Sequence, residues 1–162
     1  PRLIRAYDHL RRQHRVPHQL VIGGGRGWLE DDIYEAIETL GLRGLVRLIG
    51  FVADEDLPAL YSAADVFAFP SLYEGFGIPV LEAMGCGTPV VTSVVSSLPE
   101  VAGNAALSIW PEDIEALANA LWRVIDDSAL RNELRQRGFE QVKRFTWQKA
   151  ANTLLEIYAR VA

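Results

Sequence analysis

Cysteine and methionine are almost missing: Cys86 and Met84 are the single examples of each in 162 residues. One cysteine excludes an internal disulfide framework and fits a reducing compartment. Long apolar runs are missing as well. No stretch approaches the roughly 20 residues that cross a bilayer as a helix, and the first residues do not read as a secretory signal. An excess of positive charge is also lacking. Sixteen Lys and Arg stand against 21 Asp and Glu, a net charge of -5, which argues against nucleic acid as a partner because that role calls for a basic face. What remains is ordinary for a globular protein: 49% apolar and 23% charged residues, in a chain long enough for one domain with a substantial core.

Short β-branched apolar runs alternate with amphipathic segments. The runs predict strands at Gln19–Ile22, Val46–Ile49, Asp65–Phe69, Pro89–Thr92 and Ala105–Ile109, each apolar on both faces as buried parallel strands are. Helices are expected over Arg2–His14, Leu29–Leu40, Glu55–Ala63, Pro79–Met84, Asp113–Asp126, Ala129–Lys143 and Trp147–Val161. The clearest of them repeats Ile114, Leu117, Ala118, Leu121, Trp122 and Ile125 on one face. Asp127 or Ser128 is placed to cap the helix that follows. This alternation implies an α/β fold: a Rossmann-like parallel sheet with helices on both faces. The last two helices have no strand between them, so they pack outside the sheet or reach toward another domain. The chain opens at Pro1 directly into helical spacing, with Leu3, Ala6, Tyr7 and Leu10 in phase. It is therefore expected to be an N-terminally truncated single domain of a larger polypeptide.

Open parallel sheets bind ligands beyond the carboxyl ends of their strands. Gly23–Trp28, Gly50–Ala53 and Pro70–Ile78 fall there. The third is the richest in chemistry. Pro70 stops a strand, Gly75 and Gly77 permit positive φ and a close approach of a ligand to the backbone, and Pro79 suits the first position of a helix. The N–H groups around Gly77 and Ile78 would then point outward with the positive end of the helix dipole, an anion site that suits a diphosphate. Glu82, about a turn further on, can accept two hydrogen bonds from a vicinal diol, and Glu74 can accept from sugar hydroxyls. A plainer role stands beside this one: a glutamate near a helix start stabilises the dipole by about 0.5 kcal/mol without any ligand. The glycines could equally shape turns and cap a helix end.

The run from Tyr61 to Val91, with Glu74 and Glu82 separated by seven residues, resembles the donor-binding domain of the group 1 glycosyltransferases. These are retaining enzymes of the two-domain GT-B arrangement. The resemblance extends from about Gln19 to Ala120. It implies that Glu82 binds the donor ribose and that Glu74 is the catalytic-site carboxylate contacting the transferred hexose. It further implies that the backbone of Gly75, Phe76, Gly77 and Ile78 holds sugar and diphosphate, and that Phe51 and Val52 lie by the nucleobase. The Gly23–Trp28 loop would border the cleft, with Arg26 either meeting phosphate or simply solvated. No metal or other cofactor is implied, only a nucleotide-diphosphate sugar as donor substrate.

Family members carry an Arg and a Lys that neutralise the leaving diphosphate, just ahead of the region where this chain starts. Arg2 and Arg5 lie on the opening helix and do not match that place. The partners implied are the donor, an N-terminal acceptor-binding domain of the same polypeptide, and a glycan or lipid-linked acceptor. The location implied is cytoplasmic, with peripheral attachment to the inner membrane face left open. A non-catalytic nucleotide-binding module, or an epimerase or phosphorylase on the same scaffold, remains the alternative. Other polar candidates read as structural. Asp31–Asp32 and Asp126–Asp127 are caps or solvated charge, and His9, His14 and His18 form a solvated face. Cys86 is a small packed residue with no base beside it. Trp122 is core, Trp147 packs the last helix down, and Trp28 alone lies near the cleft.

Overall fold

A computed structural model describes residues 1–25 and 30–161, together with the backbone but not the side chain of Glu30. Strands and helices alternate as α1 (Arg2–His14), β1 (Leu20–Gly23), α2 (Glu30–Thr39), β2 (Val46–Gly50), α3 (Leu57–Ser62), β3 (Phe67–Phe69) and α4 (Ile78–Gly85). The second half runs β4 (Val90–Ser93), α5 (Leu98–Ala102), β5 (Ala106–Ile109), α6 (Ile114–Asp126), α7 (Ser128–Val142) and α8 (Trp147–Val161). All strand pairs are parallel. The α/β class read from the alternation therefore holds.

The sheet is not continuous. Among the described residues β1 pairs only with β2, and β3, β4 and β5 form a separate three-stranded sheet in that order. In parallel ladders, alternate residues bond to opposite sides. Leu20 N–H donates to Leu45 O and Phe67 N–H donates to Pro89 O. Their neighbours Val21 and Ala68 therefore turn their backbone groups to the unpaired edges. His18 Nε2 lies 3.3 Å from Asp65 Oδ2, which sets the approaches to β1 and β3 side by side. α1 spans the two sheets. Ile4 and Tyr7 pack with Ala36, Ile37 and Val46, while Ala6, Leu10 and Val16 pack with Val91, Ile109 and the apolar face of α6. Tyr7 also donates its hydroxyl to His18 O at 2.6 Å.

Both faces of the three-stranded sheet are covered, and neighbouring valines of β4 serve opposite cores. Val91 joins α1 and α6, and Val90 joins Val80, Ala83 and Met84 of α4 with Leu98, Val101 and Ala102 of α5. β4 is buried at every residue, as a central strand must be. β1 and β2 differ from the expectation of two buried faces. Leu20, Ile22 and Leu48 face a core, but Val21 and Ile49 on the other face are 44% and 42% exposed.

Five other expectations change. α5 lacks a counterpart in the sequence reading, although Ser97 before it and Pro99 in its first turn are start signals. β3 begins at Phe67 rather than Asp65 because Ala64 N–H still closes the turn after α3 onto Tyr61 O and Asp65 faces His18. The histidines are not one solvated face, since His14 stacks on Trp122 with centroids 3.9 Å apart. That stack leaves Trp122 half-buried at the α1–α6 seam rather than inside the core. Trp147 is 87% exposed and no residue of α8 is buried, so this helix is not packed down. Asp127 does cap α7, accepting from Ala129 N–H and Leu130 N–H at 2.9 Å each. Among the described residues, no helix is long and apolar enough to cross a membrane.

Candidate functional site

The candidate segment leaves the C-terminal end of β3 at Phe69 and enters α4 at Ile78. Hydroxyl groups hold it in place. Thr92 and Ser93, fully buried at the end of β4, donate to Phe69 O at 3.0 Å and to Ser71 O at 2.7 Å. Ser71 Oγ donates to Glu74 Oε1 at 2.8 Å, orienting that carboxylate. Glu74 N–H donates to Ser96 Oγ at 3.1 Å. Ser97 Oγ donates to Phe76 O at 2.8 Å, with Glu74 O at 3.2 Å as the alternative acceptor. The two serines belong to the turn between β4 and α5, a region the sequence reading left without a role.

Gly77 is the N-cap of α4, with φ of 101°. A Cβ there would stand 2.7 Å from Leu98 Cδ2, so both the backbone angle and the space require glycine. Gly75 differs from expectation. It is not among the positive-φ glycines, and nothing lies within 4 Å of where a Cβ would be, so neither backbone angle nor packing requires glycine there. Pro79 is the second helical residue rather than the first, because the helix begins at Ile78. Val80 N–H bonds back to Gly77 O at 3.0 Å. Among the described residues, no hydrogen bond uses the N–H groups of Gly75, Phe76, Gly77 or Ile78. Four unpaired donors thus precede or open α4, at the positive end of its dipole, the setting in which an anion site can form.

Glu82 is exposed one turn into α4, and its Oε2 accepts from the Tyr61 hydroxyl at 3.1 Å. Tyr61 is buried in α3. Burial, and then the charge of Glu82, push its phenol pKa well above the usual value, so the hydroxyl stays protonated as a donor. Glu74 and Glu82 therefore sit at either end of the same donor-rich turn, each held by one hydroxyl. Phe51 and Val52 follow β2, on the other sheet. Phe51 is 80% exposed, and Val52 Cγ2 stands 3.3 Å from where a Cβ on Gly23 would be. Among the described residues, no hydrogen bond ties Phe51 or Val52 to the segment from Glu74 to Glu82. Arg26 and Trp28 lie outside the described residues.

Residues 1–141 match the family profile described as glycosyl transferases group 1. The chain belongs to that family. The match covers the Glu74–Glu82 segment and both sheets. Among curated relatives, O-antigen chain mannosyltransferase B of Escherichia coli is 42% identical over 156 residues, covering 96% of this chain and 41% of that protein. Among solved structures, sucrose-phosphate synthase from Thermosynechococcus elongatus superimposes with a TM-score of 0.83 at 31% identity, covering 99% of this chain and 42% of that one. The Anabaena protein HepE, solved in complex with UDP and glucose, superimposes with a TM-score of 0.84 at 26% identity, covering 98% and 44%. The fold is thus that of GT-B glycosyltransferases, and this chain spans about two fifths of the length of these relatives.

Sequence reasoning missed Tyr61, Ser71, Ser93, Ser96 and Ser97 as parts of the site. Their signal was weak, because a serine near a turn is common. The helix-start pattern Ser97-Leu98-Pro99-Glu100 could have located α5 and, with it, the two serines that grip the loop.

Proposed function

We propose that this chain is the donor-binding part of a retaining hexosyltransferase that uses a nucleotide-diphosphate sugar. The observation that carries the reading is the segment from Glu74 to Glu82, where unpaired backbone donors lie between two hydroxyl-held carboxylates. Glu82 receives the ribose diol, Glu74 receives the hexose hydroxyls, and the 75–78 backbone receives sugar and diphosphate. Phe51 and Val52 border the base. The complexes of HepE with UDP and glucose, and the mannosyltransferase relative, support a nucleotide-sugar ligand.

In this reading, breaking the sugar–phosphate bond leaves negative charge on the diphosphate and positive character on the ring. Backbone dipoles at α4 meet the first, and the Glu74 carboxylate lies on the side of the second. The remaining positive charge comes from polypeptide outside these residues, as does the domain that binds a glycan or lipid-linked acceptor. The split sheet supports a missing element. A strand parallel to β1 and β3 would satisfy the open edges at Val21 and Ala68, and α1 would then complete the right-handed crossover from it to β1. The reaction is metal-independent and cytoplasmic, with the acceptor presented in solution or at the inner membrane face.

Calorimetric titration with GDP, UDP and ADP tests the site. One diphosphate binds, and Glu82→Ala weakens it by about 1–3 kcal/mol, the loss of charge-assisted hydrogen bonds. Binding that ignores the substitution makes Glu82 a helix residue and nothing more.

A further inference from the structure

We propose that Tyr61 is a positioning residue whose hydroxyl holds one oxygen of Glu82 so that the other stays free for a ligand diol. The proposal rests on the donor-site reading of Glu82 and adds to it a residue that acts through that carboxylate.

The geometry is asymmetric in a useful way. Tyr61 is 8% exposed while Glu82 is exposed, so a fixed donor reaches out to a side chain that would otherwise rotate freely. Two contacts fix the donor. Phe67 meets the Tyr61 ring edge-on, with centroids 5.2 Å apart at 87°. Thr88 Oγ1, itself buried, donates to Tyr61 O at 2.6 Å, which pins the backbone beneath the ring. The hydroxyl then donates to Glu82 Oε2 at 3.1 Å. Thr88 N–H bonds to Ala83 O at 2.9 Å, so the residue that pins Tyr61 is tied to the helix that carries Glu82.

Among the described residues no hydrogen bond reaches Glu82 Oε1. An ionised carboxylate accepts up to four hydrogen bonds, so one phenol leaves most of its capacity for a ligand. A freely rotating glutamate loses side-chain entropy when it binds. Tyr61 makes that loss in the unliganded fold, which is the physical content of preorganisation. The phenol keeps its proton in this setting, so it remains a donor and never becomes a second negative charge beside Glu82.

A purely structural tie between α3 and α4 predicts something different, and the test separates them. The protein is titrated calorimetrically with GDP, UDP and ADP and with the 2′,3′-dideoxy form of each. The readout is the ratio of ribo to dideoxy affinity, which reports contacts to the diol alone. In the unaltered protein the ribo form of one nucleotide binds at least tenfold more tightly, and Glu82→Ala brings the ratio near one. Tyr61→Phe keeps the ring and its packing. It is expected to cut the ratio three- to tenfold while leaving dideoxy affinity unchanged.

An unchanged ratio in Tyr61→Phe, with Glu82→Ala still collapsing it, overturns the positioning role and leaves the donor site standing. Equal weakening of both forms by Tyr61→Phe overturns it too, because that is what a structural tie does. A ratio that ignores Glu82→Ala, or no binding by any of the six nucleotides, refutes the donor-site reading and the proposal with it. If Tyr61→Phe proves unfolded, O-methyltyrosine at that position gives a second handle, because it keeps the ring and the oxygen but cannot donate. The ribo-to-dideoxy ratio is then expected to fall three- to tenfold with dideoxy affinity unchanged. An unchanged ratio with the methylated residue overturns the proposal.

Discussion

Replacing Gly77 by alanine tests whether the anion turn depends on one backbone angle and one contact. At φ of 101° an added Cβ enters a region that side chains avoid, at a cost of about 1–2 kcal/mol. It would also stand 2.7 Å from Leu98 Cδ2. Leu98 is fully buried, so its displacement adds about 1–3 kcal/mol of overpacking. The stiffer unfolded chain returns about 0.4–1 kcal/mol. The net expectation for Gly77→Ala is a destabilisation of about 1–5 kcal/mol. Leu98→Ala alone should cost about 2–5 kcal/mol through its cavity. The double variant decides the cause. Truncating Leu98 removes the clash but not the backbone strain, so the double variant should be more stable than the sum by about 1–3 kcal/mol. Urea denaturation supplies all three values, provided the slope stays constant. A cycle additive to within about 0.5 kcal/mol means the Leu98 contact is not what excludes a side chain. A Gly77→Ala protein as stable as the parent would remove the argument altogether.

Two further substitutions probe the bonds around that turn and at the helix ends. Ser97→Ala removes the donor to Phe76 O and Glu74 O. It should cost about 0.5–1.5 kcal/mol in denaturant and weaken nucleotide-diphosphate binding as the loop loosens. Stability loss with untouched affinity would show that the loop is ordered without it. Asp127→Ala removes the two bonds that cap α7 and should cost about 1 kcal/mol. Asp127→Asn should retain most of the parent's thermal midpoint, and equal loss by both would point to charge rather than capping.

Much of the architecture was legible because periodicity survives burial. The spacing of Leu3, Ala6, Tyr7 and Leu10 marked α1, whose observed limits are Arg2–His14. The face from Ile114 to Ile125 marked α6, and each of the five strands lies within two residues of its expected limits. Other features were not legible, for identifiable reasons. α5 has five residues, too few to show a helical period, and only its Ser97 and Pro99 start signals could mark it. The division into two sheets depends on which strand edges meet, and strand composition carries no sign of that. The exposure of Val21 and Ile49 follows from the same topology. Trp147 was expected to anchor α8 because large aromatics generally do, yet α8 buries nothing among the described residues. Within the site, Glu74, Glu82 and the intervening glycines stood out by spacing. Tyr61 did not, since its partner lies 21 positions away on another helix.

The polar residues at the end of β4 look costly until their bonds are followed. Thr92 and Ser93 are fully buried hydroxyls, and such groups destabilise a core unless they are paired. Both donate to carbonyls of the segment that leaves β3, Phe69 and Ser71. Ser97 takes up Phe76 O and can reach Glu74 O. The hydroxyls from β4 and the following turn thus bind the carbonyl side of the loop. Ser96 alone accepts a loop N–H, that of Glu74, and none of them bonds to the N–H groups of residues 75–78. A loop held by its acceptors leaves its donors unpaired. Under the proposed function a diphosphate would take these donors, which no protein group occupies among the described residues. The same logic applies to the carboxylates, where Ser71 and Tyr61 each hold one oxygen. The site is therefore built from the hydroxyl inventory of the neighbouring strand and helices as much as from the glycines and glutamates that announce it.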